Sequence, residues 1–243
     1  MVEQADNILG DKPLHGMFTA VPPRYDLLNK VITWRMDKSW RERAAGECLA
    51  SQPKKVLDLC CGTGDLAVQI ARRAGYDLEL TGLDFSQPML DLAGEKARSL
   101  AQGRQITFTR GDAAKLPFPD GYFDCIGISF AFRNLTYKNP LADSHILEAL
   151  RTLSPGGRFV IVETSQPGFM PVRKLFHLYL RWFVAGVGNL LSGNRGAYHY
   201  LAESAARYYT PEELTALLLA AGFSRVSYRP LFMGVAGIYT AVK

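Results

Sequence analysis

Between residues 50 and 165 this chain alternates short apolar runs with segments of helical spacing. Val56–Leu59 is a run of the kind carried by a strand buried on both faces, and Leu80–Leu83, Ile106–Thr109, Cys125–Phe130 and Phe159–Val162 repeat it. The spacing between them predicts helices over Asp65–Ala74, Pro88–Gln102 and Asn139–Leu153. Parallel strands need crossover connections, so this alternation implies a parallel sheet with helices on both faces. Residues 1–23 are irregular and end in Pro22-Pro23, after which Tyr25 to about Ala50 has helical spacing with aromatic and basic positions. The alternation stops at residues 166–208, where Val172–Leu191 is rich in Leu, Phe, Tyr, Trp and Val but interrupted by Arg173, Lys174, His177 and Arg181. It resumes with a helix that Pro211-Glu212-Glu213 starts and Ala221-Gly222 stops, then a hairpin of Val226–Phe232 and Ala236–Val242 about Met233-Gly234.

The chemistry sits where strands end. After Val56–Leu59 comes Gly62-Thr63-Gly64, a turn that lets backbone pass close to a ligand before a helix begins near Asp65. The second strand ends in Asp84, and a carboxylate there can accept both hydroxyls of a ribose. No third glycine follows Gly64 at the G-x-G-x-x-G spacing, which argues against a dinucleotide. A third strand leads to Gly111-Asp112-Ala113, where Asp112 would meet an adenine amino group, although alone it reads as a turn residue. An adenosine-bearing cofactor is therefore expected at the carboxyl end of the sheet.

The chain has 243 residues and 48% hydrophobic content, enough for one substantial core, and a single domain is expected over 1–243. It divides into an N-terminal cap segment (1–50), a cofactor-binding core (51–165), a hydrophobic substrate-side insertion (166–208) and a C-terminal helix and hairpin (209–243). Net charge is +5 and pI about 9.0, with basic residues dispersed, so no nucleic-acid partner is indicated and an anionic lipid surface fits as well. Cys48, Cys60, Cys61 and Cys125 lack C-x-x-C spacing, and His145, His177 and His199 lack metal-ligand spacing, so no metal is assigned. His145 is placed on a helix surface. Met1–Asp11 is polar without a signal-peptide core, and no segment reaches eighteen uncharged apolar residues, which predicts a cytoplasmic protein, soluble or peripheral at the inner face of the membrane.

The ordered series from Val56 to Val162, with Gly121-Tyr-Phe-Asp124 and Leu153-Ser-Pro-Gly-Gly-Arg158 before its later strands, resembles the class I S-adenosylmethionine-dependent methyltransferases. That resemblance implies an α/β, Rossmann-like fold, a mostly parallel seven-stranded sheet with an antiparallel last strand and a helical cap and insertion. Four further segments resemble the menaquinone and ubiquinone biosynthesis C-methyltransferase family: Arg24-Tyr-Asp-Leu-Leu-Asn29 with Trp40-Arg41, Ile128–Leu135, Tyr198–Ser204 and Pro211–Leu214. Members of that family commonly read Phe-Gly-Leu-Arg-Asn where Phe130-Ala-Phe-Arg-Asn134 stands, and often carry a histidine where Ile238-Tyr239 stands.

The family resemblance implies that S-adenosylmethionine contacts Thr63, Asp84, Asp112, Ala113 and Ser129, with Gly62 and Gly64 clearing space. It implies methylation of a ring carbon of a reduced prenylated quinone, demethylmenaquinol first, with a ubiquinone-pathway benzoquinol or a phylloquinone precursor as alternatives. Arg133 would stabilise the phenolate directly or through a water, Asn134 would orient the hydroxyl, and Tyr25 would close the pocket. Taken singly, Arg133, Asn134 and Tyr25 read more readily as a surface ion pair, a helix cap and a core aromatic, and Ser129 equally well as a strand-end hydroxyl. The stretch Phe169–Leu191, with Phe176 and Trp182, is either core packed over the sheet or a greasy passage for a polyprenyl tail with basic residues at lipid headgroups. A homodimer is compatible with all of this. A nucleic-acid methyltransferase would carry an Asn/Asp-Pro-Pro-Tyr motif after the fourth strand, which this chain lacks, and a non-catalytic adenosylmethionine-binding or lipid-binding module would bind without turnover.

Overall fold

Apolar residues that alternate between two buried faces organise the sheet. In the computed structural model, which describes residues 30, 32–100, 105–184, 186 and 202–243, Val56 of β1 (Lys55–Leu59) faces one hydrophobic cluster, while Leu57 and Leu59 face another. Cys125 and Ile126 in β4 (Phe123–Ser129), and Val160 and Ile161 in β5 (Leu153–Thr164), divide in the same way. Both faces are covered, so the runs read as continuously apolar.

The sheet has seven strands in the order β3-β2-β1-β4-β5-β7-β6, with β2 at Glu79–Asp84, β3 at Thr107–Arg110, β6 at Arg225–Leu231 and β7 at Ala236–Val242. β7 lies between β5 and β6 and is antiparallel to both, while every other neighbouring pair is parallel. The chain proceeds outward from β1 through β2 to β3, then returns to place β4 on the other side of β1. That reversal opens a crevice at the strands' carboxyl ends.

One face is covered by α1 (Met36–Leu49) and α2 (Asp65–Arg73), whose Trp40, Ala44, Ala45, Cys48, Leu66, Ala67 and Ile70 pack on Val56, Cys125, Val160 and Val162. The other face takes Ile146 and Ala149 of α5 (Ala142–Thr152) and Leu214 and Leu218 of α7 (Pro211–Ala220). The start of α7 is a capping box: Glu213 N–H donates to Thr210 Oγ1 at 3.3 Å, and Thr210 N–H donates to Glu213 Oε2 at 2.8 Å.

Boundaries differ where local geometry intervenes. α3 runs over Gln87–Ala97 and stops short of the expected Gln102. α1 begins only at Met36, because Trp34 and Arg35 adopt left-handed φ values of 53° and 61° that no helix accommodates. β5 starts at Leu153, six residues before the apolar run, since Leu153 pairs with Phe123 ahead of a register shift.

The 166–208 insertion has two unlike faces. α6 (Met170–Tyr179) continues into a π turn over Leu180–Val184, and Phe176, Leu180 and Val184 pack with Ala202 and Ala205. Phe169, Met170, Leu175, Leu178 and Trp182 are 54–71% exposed. Among the described residues no helix is long and apolar enough to cross a membrane.

Gly82 in β2 shows how tightly the strands beneath the crevice are packed. A Cβ there would lie 2.7 Å from Phe108 Cδ1 and 3.1 Å from Cys61 Sγ, whereas one at exposed Gly46 in α1 meets nothing within 4 Å. Gly82→Ala is expected to cost about 1–3 kcal/mol, and Gly46→Ala to stabilise by about 0.5–1 kcal/mol. Paired thermal melts of the two variants check this opposition of sign.

Candidate active site at the carboxyl ends of the strands

The turn after β1 is held by its neighbour strand. Cys61 N–H donates to Leu83 O at 3.0 Å and Gly62 N–H to Asp84 Oδ2 at 2.9 Å, while Ser86 N–H takes Asp84 Oδ1 at 2.9 Å. Burial raises the Asp84 carboxyl's pKa, and those N–H groups oppose the rise. Cys60 (φ 52°), Gly62 (φ 53°) and Gly64 (φ 76°) all take positive φ. The glycines do this at little cost; Cys60 does not, so strain is concentrated at the turn.

The crevice gathers Gly62, Thr63, Asp84, Asp112, Ala113, Ser129 and Asn134 on one lining, with Phe85, Met89 and Leu135 as apolar walls. Thr63 Oγ1 accepts from Lys96 Nζ at 2.7 Å. Asp112 is both turn and wall: its Oδ1 accepts from Ala114 N–H at 2.9 Å while the residue faces the crevice. Gly64 is not on that lining. A Cβ there would meet Ala93 Cβ at 3.0 Å, so this glycine permits close approach of α3 to the turn.

Arg133 and Asn134 part company. Both belong to α4 (Phe132–Thr136), where successive side chains point about 100° apart. Asn134 faces the crevice, but the Arg133 guanidinium turns behind the wall and donates to Thr164 Oγ1 at 2.7 Å and to Glu163 Oε1 at 3.5 Å. Glu163 is fully buried at the end of β5 and needs a cation there, which overrides the expectation that Arg133 points at the substrate. The Nε of Arg133 has no hydrogen-bond partner among the described residues. Tyr25 lies outside the described residues.

Sequence reasoning missed two residues on this lining. His145, placed on a helix surface, is 5% exposed and lines the crevice; its Nδ1 is 2.9 Å from Leu135 O, which can only accept, so Nδ1 carries the proton. Arg41 of α1 also lines the crevice. Its Nη1 lies 2.5 Å from Asp37 Oδ2 and 3.8 Å from Asp65 Oδ2, its Nε donates to Ser129 Oγ at 3.4 Å, and the guanidinium sits 5.1 Å from the Phe130 ring centroid. The i,i+4 spacing of Asp37 and Arg41 was the available signal.

Beneath the turn, Asp58 is fully buried and accepts from Ala67 N–H at 2.9 Å through Oδ2, while its Oδ1 has no partner among the described residues. Burial pushes this carboxyl from 3.8 up to about 8. Between those values the folded chain keeps a proton that the unfolded chain has released, so this group's contribution to stability falls as pH rises from about 4 to 8 and is level above that. Asp58→Asn removes the titration. Relative to that variant, the wild type should lose thermal stability steadily between pH 5 and 8; parallel melting curves across that window would contradict the assignment.

A family model described as the ubiE/COQ5 methyltransferase family matches residues 6–243. A protein named demethylmenaquinone methyltransferase from Deinococcus radiodurans is 42% identical over 97% of this chain and 96% of its own length. The ubiquinone/menaquinone biosynthesis C-methyltransferase UbiE of Geotalea daltonii is 33% identical over 96% of this chain and 97% of its own. In fold, the chain is similar to the magnesium protoporphyrin IX methyltransferase of Synechocystis PCC 6803, solved with bound SAH, at a TM-score of 0.57 and 21% identity over 86% of this chain and 84% of that one. The match across nearly the whole sequence, together with the crevice at the β1–β4 reversal, shows that this chain belongs to the ubiE/COQ5 methyltransferase family.

Proposed function

We propose that the protein methylates a ring carbon of a reduced prenylated quinone with S-adenosylmethionine, and that demethylmenaquinol is the acceptor. The observation that carries this reading is the single lining shared by the Gly62 turn, Asp84, Asp112 and Asn134, taken with relatives named for demethylmenaquinone. The residues fit the cofactor. The Asp84 carboxylate accepts from the backbone N–H groups of Gly62, Ser86 and Phe85, which leaves lone-pair capacity for a ribose hydroxyl. Space is open at Gly62, where a Cβ would meet nothing within 4 Å, and Phe85, Met89 and Leu135 supply apolar walls for a purine.

Adenosylmethionine supplies the electrophilic methyl group when bound. The chain must make the quinol ring nucleophilic, which means favouring the phenolate of a hydroxyl that otherwise titrates near pH 10. Asn134 is positioned to donate its carboxamide N–H to that oxygen. Arg133 contributes from behind the wall, its charge partly balanced by Glu163, and fixes the turn that presents Asn134. Tyr25 keeps the role that the family resemblance implies for it, contact with the quinol ring. Thr63, Asp112, Ala113 and Ser129 hold the cofactor so that sulfur, methyl and ring carbon fall in line.

In this reading the tail enters from a membrane surface and the protein works at the cytoplasmic face of the bilayer. Between Glu163 and Glu203 the sequence carries no Asp or Glu but has Arg173, Lys174, Arg181 and Arg195, and the exposed face of α6 sets Lys174 among Met170, Leu175 and Leu178. Phe176 belongs to the packed face, so its truncation reports on stability. Trp182, 71% exposed, is the probe of access.

Transfer of labelled methyl from adenosylmethionine to chemically reduced demethylmenaquinone, beside a demethylated benzoquinol, tests the reaction. Label is expected on the naphthoquinol, with kcat lowered by about a hundredfold or more in Asn134→Ala; label on the benzoquinol alone would reassign the substrate, and none on either would end the quinone reading. For the access route, Trp182→Ala is expected to slow turnover of a long-tailed quinol in anionic vesicles while sparing a short-tailed, water-soluble one. Equal rates with both substrates would remove the membrane contact from the proposal.

A further inference from the structure

The crevice lining also carries a polar cluster of Thr63, Asp65, Ser129 and Arg41: Arg41 meets Ser129 and lies 3.8 Å from Asp65, and Lys96 joins Asp65 to Thr63. Arg41 is the one lysine or arginine among the described residues of that lining. Its side chain is 11% exposed, so its charge acts with little solvent screening. Three contacts fix the guanidinium: Asp37 on its own helix, the Ser129 hydroxyl at the end of β4, and the ring of Phe130 immediately after it. Asp65, the other carboxylate facing it, lies at 3.8 Å and is itself paired with Lys96 Nζ at 2.7 Å. Lys96 therefore takes up the charge that would otherwise compete for Arg41.

We infer that Arg41 anchors the α-carboxylate of the cofactor's amino-acid end, so that a helix outside the strand-and-turn motif closes the cofactor site. The inference rests on the reading that the crevice takes adenosylmethionine. A guanidinium at this place matches a carboxylate because its planar N–H groups can meet both oxygens. It also ties α1, and through Asp37 the Thr33 hydroxyl at 2.8 Å, to the occupant of the crevice.

A binding cycle by titration calorimetry tests this with two ligands that differ only in the carboxylate: adenosylmethionine and decarboxylated adenosylmethionine. Wild type is expected to prefer the carboxylate form. Arg41→Ala should weaken adenosylmethionine by at least about thirtyfold while shifting the decarboxylated form less than about twofold, and Arg41→Lys should restore part of the loss. Retained binding of the decarboxylated ligand shows that the variant is folded. Equal weakening of both ligands, or none of either, would overturn the anchor and leave Arg41 a structural strut. Binding of neither ligand by the wild type would instead overturn the cofactor reading on which the anchor stands.

Discussion

The hydrogen bond from Gly62 N–H to Asp84 Oδ2 joins the ends of two parallel strands, and the crevice depends on it. Leu59 and Leu83 are in register, so the chain leaves β1 and β2 side by side. Without a fixed acceptor at Asp84, only the Cys61 N–H bond to Leu83 O would tie to β2 a turn that holds Cys60, Gly62 and Gly64 at positive φ. The carboxylate in turn remains usable because backbone N–H groups meet both its oxygens and offset the cost of burial. Turn and acid thus stabilise each other, and both are presented to the same side.

Much of this was legible in the sequence. Each face of the sheet is covered, so the strands appear as unbroken apolar runs, and the glycine turn, Asp84 and Asp112 follow from their positions at strand ends. What stayed hidden were side-chain directions in short or two-sided elements. A five-residue helix gives no periodic signal, so nothing in Phe132–Thr136 says that Asn134 looks into the crevice while Arg133 answers Glu163, a strand residue thirty positions later. His145 was misplaced for a related reason: the face of α5 that bears it meets Leu135 O rather than water, and that depends on the loop before the helix. Gly62 and Gly64 read alike in the sequence, as glycines that clear space, although a Cβ at Gly62 would meet nothing within 4 Å. Only the distance to Ala93 separates their roles.

The departure from the family pattern at Ile238-Tyr239 has a physical counterpart. Tyr239 is fully buried, its hydroxyl lies 3.3 Å from Ser165 Oγ, and burial pushes its pKa well above the usual phenol range. A histidine in such a place could change charge near neutral pH; this tyrosine stays uncharged. The Tyr239 position therefore adds no group that changes charge near neutral pH beside the Arg133–Glu163 pair at the end of β5.

The two outer strands of the sheet have a bearing on how molecules of this protein meet one another. β3 is only four residues long, and β6 carries Pro230, which has no N–H to offer, with Arg225 and Arg229 exposed beside it. Short edges, proline and cationic side chains all discourage the addition of a foreign strand. At high concentration the folded chain is thus guarded against edge-to-edge growth of its sheet.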